Sequence, residues 1–554
     1  MASQETLKSF LDYFYQWEKT RPEKVFLRQP FGGEWKDFTW AETGNQVRRM
    51  ATFLKSLDLP PQSNIGLVSK NCAEWIITDL AIMMSGHVSV PFYATLTADQ
   101  INHVLVHSGC SVLFVGKLDD WAGMKSGIPS GVKCLSFPTY NPDNEHIQWN
   151  DILEKNEPLQ GNPMRNLDDL FSIIYTSGTT GNPKGVMATF KAVASCVEKT
   201  KDIIRYDLPE TRFFSYLPLC HIAERNIVEA TSIGTGGTIY FAESLDTFAK
   251  NLAEASPTHF LAVPRIWTKF HLGILAKMPQ KKLDLFLKIP ILNGIVKKKI
   301  RKGLGLNDAK LILTGAAPMP ISLIKWFRKL GINIQEAYGM TENMGAVCMM
   351  PADKPKDGSV GKLYSGMEVE IAKDTGEILT RSDWNMMGYY KEPVMTADTI
   401  DTDGWIHTGD VGELDNENYL KITGRVKEMY KTSKGEYIAP SQIEFGFADN
   451  NLIEQVCVVG HGLPQPIALV ILSDMAKGVE QASINENFAA TLSELNLRLK
   501  SYERVKKIVI MKEAWTVENN MLTPTMKIKR NVVEKNYGAM MKPWYESKGT
   551  VIWE

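Results

Sequence analysis

The sequence predicts an α/β protein in two parts: a large N-terminal domain of α/β sheets that carries a small β-rich subdomain, then a small α+β C-terminal domain. Three observations predict it. Strand-like apolar runs alternate with helical patterns through the first three quarters of the 554 residues. From about Gly358 the texture changes to short strands joined by tight turns, and beyond Arg425 a shorter segment has strands and a helix of its own. A chain of this length holds roughly three to four units of ordinary domain size, enough for several cores.

The alternation reads first in Ser63-Asn-Ile-Gly-Leu-Val-Ser, a strand, with helix over 73–84. Val88-Ser-Val-Pro-Phe-Tyr is the next strand, 98–108 the next helix, and Ser111-Val-Leu-Phe-Val the strand after it. That order calls for mostly parallel strands with helices packed on the faces, because a parallel connection has to cross the sheet. The β-rich piece shows in Val369-Glu-Ile-Ala, the turn Asp374-Thr-Gly376, Glu377-Ile-Leu-Thr and the run Gly412-Glu-Leu-Asp-Asn-Glu-Asn-Tyr-Leu. The last segment offers strands over 455–459 and 467–472 and a helix over 488–499. The boundary falls at Gly424 to Lys427, dividing the chain into 1–424 and 425–554.

Composition excludes several classes. Hydrophobic residues at 44% and charged residues at 23% match ordinary globular chains, which argues against disorder. A formal charge of −1 gives no overall basic field for a nucleic acid. The richest apolar stretch, 75–93, contains Asp79 and His87 and reads as buried helix and strand rather than a membrane span. The N-terminus lacks the pattern of a signal peptide, and the seven cysteines form no C-x-x-C pair, so the expected location is the reducing cytoplasm.

Chemistry concentrates in a few segments. Leu170-Phe-Ser-Ile-Ile-Tyr175 is a strand that ends in Thr176-Ser-Gly-Thr-Thr-Gly-Asn-Pro-Lys-Gly185, with helix resuming near Lys191. Gly178 and Gly181 let backbone N–H groups approach phosphate oxygens, Thr176, Ser177, Thr179 and Thr180 add hydroxyl donors, and Lys184 adds charge. The order Lys-Gly and the spacing differ from a Walker A loop. Leu311-Ile-Leu-Thr-Gly315-Ala316-Ala317-Pro is a second strand running into a small-residue turn, with room for a flat ring. Gln335-Glu336-Ala337-Tyr338-Gly339-Met-Thr341-Glu342 combines an aromatic face, a hydroxyl and a carboxylate. Asp403-Gly-Trp-Ile-His-Thr-Gly-Asp410 ends in a carboxylate able to accept two ribose hydroxyls. Arg425 closes Tyr419-Leu-Lys-Ile-Thr-Gly-Arg, and Leu522-Thr-Pro-Thr-Met-Lys527-Ile-Lys529-Arg lies near the C-terminus.

In this order the segments resemble the adenylate-forming, AMP-binding enzymes: acyl-CoA synthetases, peptide-synthetase adenylation domains and beetle luciferases. The resemblance implies a site for ATP, Mg²⁺ and coenzyme A between a large domain and a mobile small one. It implies that Gly315 to Ala317 and Glu336 to Gly339 contact adenine with Tyr338 stacked on it, that Thr341 touches the α-phosphate and that Glu342 holds Mg²⁺. It implies that Asp410 and Arg425 bind the ribose, and that Lys527, with Lys529 competing for the part, stabilises the transferring phosphate alongside Lys184. It places a hinge at Lys427, with Lys431 and Gly435 serving the thioester step. Three stretches, Ser215-Tyr-Leu-Pro-Leu-Cys-His-Ile-Ala-Glu-Arg225, Val263-Pro-Arg-Ile-Trp267 and Lys431-Thr-Ser-Lys-Gly-Glu-Tyr-Ile-Ala-Pro, look like the long-chain fatty acyl-CoA synthetases, and so does Met526 before the lysine. Cys220, His221 and Trp267 are thereby candidates for an acyl pocket. Thr189-Phe190 and Ser382-Asp-Trp-Asn385 depart from the usual pattern.

The activity implied is ATP-dependent conversion of a fatty acid to acyl-AMP, then acyl-CoA. The alternatives are a ligase that loads a carrier protein and an inactive acyl-binding relative. Lysines 281, 282 and 297–299, with Arg301 and Lys302, flank the apolar stretch 283–296, in which Pro290 and Gly294 interrupt a single helix. It reads either as a solvated face over the core or as peripheral contact with an anionic membrane. A homodimer is also compatible with the sequence.

Overall fold

The computed structural model describes residues 7–138, 140, 143–176, 183–517, 519–523 and 527–554. The alternation near the N-terminus becomes the middle of an eight-stranded sheet, in which Asn64–Val68 pairs in parallel with Val88–Phe92 on one side and Val112–Val115 on the other. The helix Ala73–Ser85 between the first two is buried along its whole length, which explains why it carries almost no polar face. It stops at Gly86, whose φ of 92° is a left-handed cap that a side chain would oppose. Helix Ala98–Ser108 starts from a capping box made by Thr97 and Gln100.

The second sheet has 13 strands. Val25–Phe31, Thr238–Phe241, Arg212–Ser215, His259–Leu261, Leu311–Thr314 and Gln335–Tyr338 form its parallel part. Gln335–Tyr338 then pairs antiparallel with Cys348–Met349, and the sheet continues through Gly361–Leu363, Tyr419–Arg425, Ile406–Leu414 and Glu377–Arg381 to Glu368–Ile371. The β-rich piece read from the sequence as an appendage is thus an extension of the large sheet. Its short strands find main-chain partners on the open edge of Gln335–Tyr338.

A second difference follows Thr176. The sequence reads strand, loop and helix there, whereas the chain returns first as the strand Lys184–Thr189, antiparallel to Leu170–Thr176, with Thr176 opposite Lys184. The run is too short to declare itself by alternation and takes its conformation from the neighbouring strand. Helix Phe190–Thr200 starts at once, its cap formed by the Thr189 hydroxyl accepting from Ala192 N at 3.1 Å. One of the two departures from the usual pattern is therefore a helix cap followed by a buried phenylalanine.

After Tyr419–Arg425 the chain makes a short 3-10 turn, Val426–Glu428, and enters a four-stranded sheet of Ile453–Val459, Ile467–Leu472, Ile508–Ile510 and Val551–Trp553. Helix Gln481–Arg498 buries Ile484, Phe488, Leu492 and Leu495 in one apolar cluster with this sheet. Helix Arg530–Glu546 buries Val533, Met541 and Trp544 in another. Among the described residues no helix is long and apolar enough to cross a membrane.

Arg225 ties the large domain together from inside. It opens the π-helical turn Arg225–Ala230, is 1% exposed, and reaches Asp79 of the buried helix at 2.5 Å, Glu229 at 3.2 Å and the Ser172 hydroxyl at 2.6 Å. Its guanidinium also lies 4.5 Å from the Phe171 ring centroid. Burial, then the neighbouring Asp79, pushes the Glu229 carboxyl well above the usual range. Arg225→Met leaves Asp79 buried without its partner and should destabilise the large domain by about 3–5 kcal/mol. Urea titration followed by tryptophan fluorescence measures it, and an unchanged transition would show that the cluster does not hold the domain.

Candidate active site

The strands Ile406–Leu414 and Tyr419–Arg425 run antiparallel with Asp410 directly opposite Arg425. That register lets Arg425 Nε donate to Asp410 Oδ1 at 2.7 Å. Tyr338, at the end of a strand two positions further along the same sheet from Gly361–Leu363, donates its hydroxyl to Asp410 Oδ2, also at 2.7 Å. Both oxygens of a buried carboxylate are thus aimed by neighbours. Burial and then Asp410 hold the Tyr338 hydroxyl far above its ordinary pKa, which keeps it a donor.

Leu311–Thr314 and Gln335–Tyr338 lie side by side with Thr314 opposite Glu336. A β-carbon on Gly315 would stand 2.9 Å from the Ala337 carbonyl oxygen, so glycine lets the two strand ends converge. Ala316 takes a φ of 64°, a left-handed conformation that costs an alanine roughly 1–2 kcal/mol. Ala316 and Ala317 stay exposed and offer a flat face. Gly339 approaches the Gly345 backbone so closely that a β-carbon would sit 2.2 Å away. Burial, with Asp357 adding to it, pushes the Glu336 carboxyl up to about 7.

Thr341 and Glu342 start the 3-10 turn Thr341–Asn343, and both are buried. Glu342 Oε1 accepts from the Tyr389 hydroxyl at 2.6 Å, and Lys184 Nζ stands 5.1 Å over the centroid of the same ring. Tyr389 therefore joins the lysine after the loop to the carboxylate. It belongs to the strand Gly388–Tyr389, which pairs with Met187 and Val186 beside Lys184. Tyr389 lies in none of the motifs read from the sequence, and Gly388 before it packs so closely that a β-carbon would meet Thr396 at 2.7 Å. Of the loop, Thr176 and Lys184 are described, while Ser177, Gly178, Thr179, Thr180 and Gly181 lie outside the described residues, as does Met526. Among the described residues no three ligand-type side chains gather as a metal cluster. A single buried carboxylate such as Glu342 suits Mg²⁺, which is usually held by one or two carboxylates with water and phosphate oxygens completing its shell.

Lys527 comes to this centre from the small domain. Its N–H donates to Thr523 Oγ1 at 3.1 Å, its carbonyl accepts from Thr523 N at 2.8 Å, and Leu522 bridges Ile528, so its backbone is held against Thr523. The side chain is exposed, while protein atoms crowd its ammonium group. That crowding, and then the Arg425 guanidinium, lowers its pKa, while Asp410, Glu342 and Glu428 act the other way. Lys529 turns away and donates to Asn520 at 2.5 Å, so the two competing lysines have different surroundings. Lys427 is exposed in the turn Val426–Glu428. Lys431 lies 4.8 Å over the Tyr437 ring, and Gly435, φ 84°, makes the turn of the same hairpin.

The acyl-pocket candidates separate. His221 caps a short helix by accepting from Ala223 N, and burial, with nearby Lys527, lowers its pKa to about 4, so the ring is neutral. Cys220 beside it is buried, which drives its thiol pKa far up. Trp267 is fully buried in a different apolar cluster with Phe260, Phe270 and Phe327 and donates to the Ala262 carbonyl at 3.1 Å. The other departure from the usual pattern is structural as well, since Trp384 is fully buried and donates to the Ala346 carbonyl at 2.8 Å.

An aimed buried carboxylate, a glycine-dependent turn with an open backbone face, and basic groups converging from two domains define an enzyme of the nucleotide-binding class. The chain belongs to the AMP-binding enzymes: that family matches residues 14–390, and the AMP-binding enzyme C-terminal domain matches 428–549. It is 30% identical over 589 residues to the Mycobacterium bovis long-chain-fatty-acid–CoA ligase FadD15, covering 96% of each chain. It is 31% identical over 561 residues to long-chain-fatty-acid–CoA ligase 5 of Rattus norvegicus, covering 87% of this chain and 80% of that one. In fold it is similar to the adenylation domain of a Mycobacterium chelonae carboxylate reductase, with a TM-score of 0.82, 21% identity and coverage of 98% and 92%. The anthranilate CoA ligase AuaEII in complex with anthranoyl-AMP gives a TM-score of 0.79 at 19% identity, with coverage of 98% and 100%.

Tyr389→Phe keeps the ring under Lys184 and removes the hydroxyl from Glu342. Losing a hydrogen bond to a charged group costs about 1.5–3 kcal/mol, so ATP-dependent pyrophosphate release should fall roughly 10- to 100-fold. Conversion of supplied acyl-adenylate should change little. Equal loss in both reactions would remove Tyr389 from the phosphate side of the site.

Proposed function

We propose that this chain activates an unbranched medium- to long-chain fatty acid as acyl-AMP, with release of pyrophosphate, and passes the acyl group to coenzyme A. The observation that carries the proposal is the pair of 2.7 Å hydrogen bonds by which Arg425 and Tyr338 aim both oxygens of the buried Asp410 carboxylate. Near-full-length likeness to long-chain-fatty-acid–CoA ligases supports the substrate class.

In this reading residues 1–424 bind ATP and the acid, and 425–554 form the mobile C-terminal domain. Gly315 to Ala317 and Glu336 to Gly339 enclose adenine, with Tyr338 against its face, and Asp410 and Arg425 receive the ribose hydroxyls. Thr176 to Gly181 and Lys184 cradle the phosphates, and Thr341 meets the α-phosphate. Mg²⁺, held by Glu342, supplies charge neutralisation when it accompanies ATP. The fatty carboxylate attacks the α-phosphorus, forming one P–O bond as the bond to pyrophosphate breaks. No general base is needed, because the nucleophile is already ionised. Lys184 and Lys527 offset the charge that builds on the transferring phosphate. The coenzyme A thiol then gives its proton to solvent as its sulfur attacks the acyl carbonyl, and the bond from that carbon to the phosphate oxygen breaks, AMP leaving with the bonding pair.

Between the two steps the small domain turns about Lys427 and brings Lys431 and Gly435 to the site. Solvent-exposed ties between the domains, such as Arg265 to Glu454 and Ser322 to Asp449, are weak enough to exchange. The reading places the enzyme in the cytoplasm and includes peripheral contact with a membrane, where an insoluble acid resides; a homodimer is compatible with it.

Lys527→Ala should lower pyrophosphate release by about 100-fold or more while sparing thioester formation from supplied acyl-adenylate. Loss of both half-reactions to the same degree would overturn its assignment. With MgATP and coenzyme A, kcat/KM should climb with acid length, about 0.8 kcal/mol for each methylene buried, until the pocket is full. A flat profile, or an optimum at acetate or benzoate, would refute the fatty-acid reading and leave the adenylation chemistry standing.

A further inference from the structure

The basic, apolar stretch around residue 290 folds as two helices, Gln280–Lys288 and Pro290–Gly303, broken at Ile289 where Pro290 takes the first helical position. They do not simply shield the core. Leu283 and Val296 point inward and join the apolar cluster that contains Trp267, Phe260 and Phe270. On the outside Leu285 is 57% exposed, Ile289 40%, Ile291 79% and Ile295 57%. A solvated face would carry polar residues at those positions, because exposing large aliphatic side chains gains nothing in water.

The charges share that outer face. Ile291 and Ile295 are one turn apart, and Lys298, Lys299 and Lys302 continue the same stripe at spacings of three and four. On the first helix Lys281 and Lys288 flank Leu285 in the same way. The whole stretch 280–303 holds eight basic residues and one acidic residue, Asp284, in a chain of net charge −1. Asp284 accepts from Gln280 at 2.8 Å. Among the described residues none of Lys281, Lys282, Lys288, Lys298, Lys299 and Lys302 is in an ion pair. Lys288, Lys297 and Lys329, together with Asp284, Leu287 and Asn293, line an open cleft between the helices.

We propose that this helical pair is a membrane-docking surface that lies in the interface of an anionic bilayer, its isoleucine and leucine side chains inserted and its lysines against lipid phosphates. The charge complementarity selects the occupant. Four bare aliphatic side chains ringed by unpaired ammonium groups oppose a second copy of the same surface, which would bring like charges together, and match a surface apolar in depth and negative at its boundary. Neither helix is long enough to span, so the chain rests on the bilayer rather than crossing it. The surface is the outer skin of the cluster that holds Trp267, which places the membrane next to that candidate acyl residue. This inference rests on the proposed function only for the reason an acid-activating enzyme would dock there.

The test is flotation of the full chain with vesicles of phosphatidylcholine, with and without phosphatidylserine. Binding should require phosphatidylserine and weaken with salt. Replacing Lys298, Lys299 and Lys302 by Gln should weaken it on the order of 100-fold, since each lysine near an anionic surface contributes about fivefold. Ile291→Ser with Ile295→Ser should weaken it at unchanged charge. Pyrophosphate release with a water-soluble shorter acid, measured on the same preparations, should be equal in all variants. Wild-type binding no better than that of the variants overturns the inference, as does equal binding to neutral vesicles. A dimer in sedimentation velocity that the isoleucine variant dissolves would overturn it in favour of a second copy. Membrane binding without pyrophosphate release would instead refute the function and leave the surface intact.

Discussion

The register that sets Asp410 against Arg425 is the constraint on which the site depends. It comes from main-chain pairing of two antiparallel strands, so it is fixed when the sheet forms and is independent of any ligand. A shift of one residue would turn Asp410 to the opposite face and leave Tyr338 without its acceptor. Arg425 is also the last residue of its strand, followed at once by the turn Val426–Glu428 that leads to the small domain. In the proposed function, the residue that receives the ribose and the turn about which the small domain moves are therefore adjacent in the chain.

The large domain supports that geometry through two buried polar groups in the stretch that resembles the long-chain synthetases. Arg225 binds the strand Leu170–Thr176 through Ser172 and the buried helix through Asp79. Glu224 accepts from the Ser215 hydroxyl and Tyr216 N, each at 2.9 Å, and burial pushes its carboxyl up to about 8. The polar letters of this stretch are thus largely explained by internal bonding. Between them, His221 accepts from Ala223 N and Cys220 is buried.

How much could be read from the sequence follows from where each signal resides. Helix Ala73–Ser85 and strands Asn64–Val68 and Val112–Val115 were legible because their apolar runs and caps lie within the segment itself. The strands Glu368–Ile371 and Glu377–Arg381 were legible from the turn between them. The return strand Lys184–Thr189 was not, since its partner rather than its pattern makes it a strand. Nor was the continuity of the large sheet, which depends on an open edge at Gln335–Tyr338. Asp410, Arg425, Tyr338, Glu342 and Lys527 stood out as members of compact motifs, and the structure brings them into one electrostatic neighbourhood. Tyr389 was invisible because its partners, Glu342 and Lys184, lie 47 and about 200 residues away.

Burial of the cysteines bears on side reactions. An acyl-adenylate is a strong electrophile, and a thiolate within reach would be acylated in place of the acceptor. Cys220 is the cysteine beside His221, and the apolar surroundings that raise its pKa keep it as the unreactive thiol. Cys348, opposite Tyr338 on the neighbouring strand, is buried and raised in the same way. In the proposed reaction the enzyme therefore protects a reactive intermediate from its own sulfur, so that the thiol supplied from outside is the one that competes for the acyl group.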